Sequence, residues 1–307
     1  MSLVKKYPIP AAGLILAIFA LGNRLQAVHP YLKTVLGIIG GILYVLYLLK
    51  LVLDFTNVRA ELKKPPVASV FPTITMATML IATYVKPISA GLANAFWWVG
   101  FVGHLLLIVW FTASFVAGFT IRSVFPSWFI VYVGIAVAGV TAPVVGQWLL
   151  GQLSFWFGLV AFAILLPTVL YRVWVVRDMP PPTLPSLVII AAPASLLLAA
   201  YMNAFPEKSL TLSWILIGFS LALYAIALYY LARLIVKPFM PTMSGFTFPV
   251  VISAVAIAAA NGFLAKAGHP AAWLQPVATA QLIVASAVVL YVLIGYVRHL
   301  LARPQAN

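Results

Sequence analysis

Long uncharged runs dominate this sequence. The longest, residues 123–171, holds 49 residues without a single Lys, Arg, Asp or Glu. A helix needs about 20 apolar residues to cross the roughly 30 Å hydrocarbon core of a bilayer, so this run alone is long enough for two crossings. Across the chain 64% of residues are apolar and 7% are charged, whereas soluble domains carry about 25% charged residues. The pattern excludes an ordinary soluble domain and predicts an all-α integral membrane protein.

The positions of the charged residues predict ten membrane-spanning helices in a single transmembrane domain, residues 1–307. The expected limits are 7–25, 33–53, 68–85, 93–116, 126–146, 153–172, 186–204, 211–234, 245–265 and 275–298. The fifth and sixth spans share the run 123–171. Residues 146–152 are the polar, Gly-flanked interruption of that run, so we expect the chain to turn there.

The basic residues predict the orientation of these spans. Eighteen Lys and Arg stand against four Asp and Glu, for a net charge of +14. With ten spans, 13 of the bases fall on the side of the two termini and five on the other. Because cytoplasmic loops carry the excess of Lys and Arg, we expect both termini in the cytoplasm and the chain in the inner (plasma) membrane. The bases stand singly between apolar runs, so no nucleic-acid partner is expected.

A proline recurs at the start of every outward-running span. These prolines are separated by 62, 54, 67 and 56 residues, and each precedes small, hydroxyl or apolar residues: Pro10, Pro72, Pro126, Pro193 and Pro249. Chance regularity among 22 prolines is the alternative explanation. A true repeat predicts five parallel helical hairpins that close into a ring with pseudo-fivefold symmetry. Kinked helices with small residues suit its inner side, so the odd-numbered helices are expected to surround a pathway.

Several segments resemble the tellurite-resistance/dicarboxylate transporter family, which includes bacterial TehA-like channels, plant guard-cell slow-type anion channels, fungal malate carriers and sulfite exporters. The resemblance rests on six segments in order: residues 7–14, 20–23, 71–79, 125–129, 192–194 and 246–250. It implies a ten-helix protomer with five inner helices around a central pore. It also implies a homotrimer in which each subunit keeps its own pore.

The same resemblance implies a pore gate on the ninth helix. Family members close the pore with the second aromatic residue of an aromatic-Ser/Thr-Phe motif, which is Phe248 here. A hydrophobic constriction can gate a pore by excluding water, and a ring beside a proline kink suits that role. The further residues expected to line the pore or kink its helices are Pro10, Gly13, Pro72, Thr75, Pro126, Pro193, Phe246 and Pro249.

The spans lack the groups that most chemistry requires. No predicted span contains an Asp or Glu in its interior, and the chain has no Cys, so neither an enzyme, a metal site nor a cofactor is expected. A neutral pathway with bases at both mouths favours anions. We therefore expect a gated anion channel or channel-like exporter whose partners are small inorganic or organic anions and the lipid bilayer.

The sequence leaves two alternatives to an anion channel open. The first is a proton-coupled carrier of C4-dicarboxylate, sulfite or tellurite-type oxyanions. Such a carrier needs a titratable group in its pathway, and His104 is the candidate, although a hydrogen bond to a neighbouring helix is the simpler role for it. The second alternative is a passive membrane scaffold, which five recurring kinked helices disfavour.

Overall fold

The computed structural model describes residues 3–302, which form helices and no β-strand. Ten apolar helices follow one another along this part of the chain: α1 (Ala11–Leu25), α2 (Pro30–Leu53), α3 (Pro65–Val85), α4 (Ala90–Val116), α5 (Gly134–Val145), α6 (Trp148–Val176), α7 (Pro181–Ala204), α8 (Leu210–Leu234), α9 (Pro241–Lys266) and α10 (Leu274–Leu301). Three short α-helices, Leu3–Lys6, Phe55–Glu61 and Trp128–Tyr132, and a 3-10 turn at Ile121–Ser123 lie outside them. The all-α prediction is confirmed over these residues.

Eight of these helices, within residues 3–302, are long and apolar enough to cross a membrane. The two shorter ones, α1 and α5, occupy the predicted spans 7–25 and 126–146. Pro8 and Pro10 precede α1, and proline cannot supply the amide that would extend a helix through it. A turn at Val133 separates α5 from the short helix Trp128–Tyr132. The prediction of ten complete crossings thus stays a prediction.

The chain reverses inside the long uncharged run where the sequence indicated. Gly146 ends α5 with a φ of 73°, a left-handed conformation that glycine adopts without steric cost. The turn is shorter than predicted, because α6 begins at Trp148 and residues 148–152 are helical. The backbone of Gly151 on α6 lies against α5, so this hairpin is tightly closed.

Helices differ in how much of their surface they bury. In α3, α7 and α9, 61 to 83% of the most apolar stretch is buried, against 22 to 39% in α2, α4, α6, α8 and α10. Residues 11–22 of α1 are all buried as well. The odd-numbered helices therefore form the interior, while the even-numbered ones present exposed Leu, Ile, Val and aromatic side chains.

The odd-numbered helices contact one another in succession. Helix α1 packs on α3, α3 on α5, α5 on α7, α7 on α9, and α9 on α1 again. Each also packs on the even-numbered helix that follows it in the chain. Small residues permit close approach: a Cβ atom on Gly100 of α4 would lie 2.7 Å from the carbonyl oxygen of Thr75 on α3.

Candidate functional site

Two cavities enter the interior between the odd-numbered helices. The first, of about 350 Å³, is lined by Pro10, Gly13, Thr73, Ser127, Pro193, Ser244 and other residues near the starts of these helices. The second, of about 530 Å³, is lined by Asn23, Arg24, Thr83, Thr141, Asn203, Gln275 and others, most of them near the helix ends. We call them the proximal and the distal cavity. Because starts meet at one cavity and ends at the other, the five lining helices run in the same direction.

Two side chains line both cavities. Phe248 on α9 and Leu196 on α7 belong to the wall of each, and their exposed fractions are 6% and 2%. The two cavities therefore approach each other at this aromatic and aliphatic pair. A constriction of this kind excludes water without any charged group.

Hydrogen bonds fix the backbone around Phe248. The hydroxyl of Thr247 donates to the carbonyl oxygen of Ser244 at 2.7 Å and also lies 3.2 Å from that of Gly13 on α1. Pro249 has no amide to donate, so α9 lacks one backbone hydrogen bond there, and the contacts of the Thr247 hydroxyl lie beside that gap. A Cβ atom on Gly13 would lie 3.2 Å from the carbonyl oxygen of Ser244, and glycine keeps α1 and α9 close at the level of Phe248.

A buried group of three serines joins the helices that carry the constriction. The hydroxyl of Ser195 on α7 lies 2.8 Å from that of Ser220 on α8 and 2.9 Å from that of Ser253 on α9. Ser195 precedes Leu196 in the chain, and Ser253 lies on the helix of Phe248. The three serines thus tie together the backbones on both sides of the constriction.

Comparison with known proteins identifies the family of this chain. The model of the SLAC1 family, described as voltage-dependent anion channel, matches residues 7–297. The chain belongs to this family. A relative from Haemophilus influenzae, named tellurite resistance protein TehA homolog, is 28% identical over 250 residues, which cover 76% of this chain and 74% of the relative. The predicted family resemblance is confirmed, and the protein is a multi-pass membrane protein of an anion channel or transporter family.

The other residues expected at the pore of this SLAC1-family chain take two kinds of position. Pro10, Gly13, Pro193 and Pro249 line the proximal cavity beside Phe248. The remaining four are outside the described walls of both cavities: Pro72, Thr75, Pro126 and Phe246. Phe246 is fully buried in the interior. The hydroxyl of Thr75 forms a hydrogen bond with His104 on α4.

His104 on α4 connects α3 with the short helix Trp128–Tyr132. Its Nδ1 lies 2.7 Å from the hydroxyl of Thr75, and its Nε2 lies 3.1 Å from the carbonyl oxygen of Val131. A carbonyl oxygen only accepts, so Nε2 carries a hydrogen and donates. The ring is completely buried and belongs to neither described cavity wall, which matches the simpler role expected for it.

The cavities contain bases and no acids among their described lining residues. Lys64 lines the proximal cavity and Arg24 the distal one. The ion pairs found within residues 3–302 lie elsewhere: Lys50 with Asp54, and Asp178 with both Arg122 and Arg172. In the same part of the chain no group of three or more His, Cys, Asp and Glu could hold a metal ion.

Sequence reasoning missed Leu196, Arg24 and Gln275 as cavity residues. Leu196 follows Pro193 by three positions, but the sequence offers many leucines in similar settings. From the sequence, Arg24 is one of the five bases on the side opposite the termini. Arg24 directly follows Asn23, the last residue of the segment 20–23 that resembles the family. This position next to a family segment is the feature of the sequence that could have indicated Arg24 as a cavity residue.

Proposed function

We propose that this chain is a gated anion channel, or channel-like exporter, for small anions. The observation that carries the proposal is that Phe248 and Leu196 line both the proximal and the distal cavity. The anion path runs through these cavities, and the Phe248 ring closes it. A change of the Phe248 rotamer then opens the path. Membership of the SLAC1 family supports the choice of anions.

Electrostatics supports the sign of the permeating ion. Each cavity has one base and no acid among its described lining residues, so the potential at both mouths is positive. Between them the lining is neutral. A neutral path holds an anion weakly, and weak binding permits rapid exit.

The whole of residues 1–307 forms one transmembrane domain of ten spans in this proposal. Five hairpins, each an odd-numbered helix and the next even-numbered one, stand around the path with pseudo-fivefold symmetry. Successive packing of α1, α3, α5, α7 and α9, with α9 returning to α1, supports this ring. Both termini lie in the cytoplasm and the chain lies in the inner membrane. The assembly is a homotrimer with one pore per subunit.

The carrier alternative lacks a proton-binding group in the path. Apart from Lys64 and Arg24, no titratable side chain belongs to the described walls of the cavities. A proton-coupled carrier needs an acid or a histidine in its pathway, and His104 makes its two hydrogen bonds outside the described cavity walls. We therefore prefer a channel to a proton-coupled carrier. We also propose no catalytic activity.

Anion efflux from liposomes tests the proposed function. Liposomes loaded with chloride or nitrate would contain the wild-type protein, Phe248→Ala or Phe157→Ala. Phe157→Ala is the matched control, because the Phe157 ring is 46% exposed on the outer surface. We expect Phe248→Ala to release anions faster than both others when valinomycin supplies the balancing K⁺ current, with no need for a proton gradient. Efflux that requires a proton gradient would favour the carrier. Absence of anion efflux from every variant would contradict the proposal.

A further inference from the structure

The distal cavity contains an arginine without an internal partner. Arg24, near the end of α1, lines the cavity, and its Nε is enclosed with no hydrogen-bond partner. No ion pair within residues 3–302 includes it. A guanidinium offers five N–H donors in a planar fork and stays charged. An enclosed donor without an acceptor is costly, so a ligand that accepts hydrogen bonds is favoured here.

Gln275 supplies a second free donor to the same cavity. It lies in the first turn of α10 and lines the distal cavity. Its Oε1 accepts a hydrogen bond from Asn261 Nδ2 at 3.0 Å. Because that bond occupies the oxygen, the Nε2 amide of Gln275 is left to donate.

Apart from Gln26, the other polar side chains in the described wall of the distal cavity are already engaged. Asn23 and Thr83 bond to each other at 2.8 and 3.0 Å, and Asn203 donates to the carbonyl oxygen of Ala199 at 2.7 Å. Thr141 accepts from the Trp97 indole at 2.8 Å and donates to the carbonyl oxygen of Val137 at 2.9 Å. None of these groups neutralises Arg24, so its charge is available to a ligand.

We propose that the distal cavity holds a small monovalent anion against Arg24, with the Gln275 amide as a second donor. This site rests on the proposed function, because it would bind the permeating anion next to the Phe248 constriction. The cavity, of about 530 Å³, is much larger than such an ion. The anion therefore keeps part of its hydration shell on the side away from Arg24. Weak, water-assisted binding suits a site that must also release its ion.

Conduction at different anion concentrations tests the site. In the Phe248→Ala channel, current would be measured as nitrate is raised on the distal side. We expect Arg24→Gln to raise the half-saturating concentration about tenfold, the change that corresponds to one charged hydrogen bond. Arg24→Lys should fall between Arg24→Gln and the parent. Lys266→Gln is the matched control, because Lys266 is an exposed base at the end of α9 outside the described cavity wall.

The outcomes separate the site from the function. If Arg24→Gln and Lys266→Gln weaken the current equally, the effect is one of surface charge and the site is overturned. If Phe248→Ala carries no anion current at all, the proposed function fails instead. Binding can then still be measured by melting. We expect nitrate to raise the melting temperature of the wild-type protein more than that of Arg24→Gln at equal ionic strength, and an equal rise in both would overturn the site.

Discussion

At the scale of single residues, the proposed constriction consists of two side chains of different kinds, Phe248 and Leu196, which line both cavities. The family resemblance singled out Phe248, through the aromatic-Thr-Phe motif at residues 246–248. It could not predict Leu196, since nothing in the local pattern separates this leucine from those that face lipid. Only the packing of α7 against α9 brings Leu196 to both cavities, and that contact joins residues about 50 positions apart.

Leu196→Ala tests the second half of the constriction. The substitution removes the isopropyl end of a side chain that lines both cavities, so in the proposed channel the path is closed less completely. We expect basal anion efflux from liposomes above the wild-type rate but below that of Phe248→Ala, and the double variant should exceed both. Leu149→Ala, at a side chain that is 68% exposed, is the control. Efflux from Leu196→Ala at the wild-type rate, with Phe248→Ala conducting, would contradict a role for Leu196.

At the scale of helices, close contacts and buried hydrogen bonds hold each hairpin together. The apolar runs predicted most helix limits to within a few residues, because hydropathy determines what can lie in lipid. They did not predict the short α5, which begins after a turn at Val133 and ends at Gly146. The length of an uncharged run records that the segment is apolar, whereas helix ends depend on local backbone geometry.

Gly100→Ala tests the contact between α3 and α4. A Cβ atom at this position would lie 2.7 Å from the carbonyl oxygen of Thr75 and 2.8 Å from the amide nitrogen of Met79. Backbone atoms cannot move aside easily, so we expect a loss of stability of about 1–3 kcal/mol and a lower melting temperature in detergent. The control is Gly218→Ala in α8, where a Cβ atom meets nothing within 4 Å. Equal melting of the two variants would contradict the close contact.

His104 variants test the link between α3 and the segment around Val131. His104→Ala leaves the Val131 carbonyl without its donor and opens a space in the interior, so we expect a loss of about 2 kcal/mol or more. His104→Gln keeps an amide that can donate, and it should recover part of the melting temperature. If His104→Ala instead abolishes anion efflux with no change in melting temperature, the ring belongs to the transport path and the structural role assigned to it is wrong.

At the scale of the whole molecule, the proposed path is neutral between two bases, Lys64 in the proximal cavity wall and Arg24 in the distal one. Positive mouths on a neutral path stay a prediction. The recurring prolines predicted which helices lie inside, in agreement with the greater burial of α3, α7 and α9. The sequence could not predict how the interior divides into two cavities. That division depends on side chains from different helices that meet only after the helices have packed.

Introduced cysteines test the orientation of the cavities. The chain has no Cys of its own, so any labelling reports the introduced thiol. We expect Thr183→Cys, in the proximal cavity wall, to react with a membrane-impermeant thiol reagent added on the cytoplasmic side. Asn203→Cys, in the distal wall, should react with reagent added on the other side. The reverse pattern, or reaction of both from one side only, would contradict the proposed orientation.

The current through Phe248→Ala in a planar bilayer tests the central claim most directly. With unequal chloride concentrations on the two sides, we expect Phe248→Ala to carry a larger current than the wild-type protein and Phe157→Ala. Its reversal potential should lie near the equilibrium potential of chloride. A Phe248→Ala current no larger than that of the wild-type protein, or one that reverses near the equilibrium potential of the cation, would contradict a path for anions closed by Phe248.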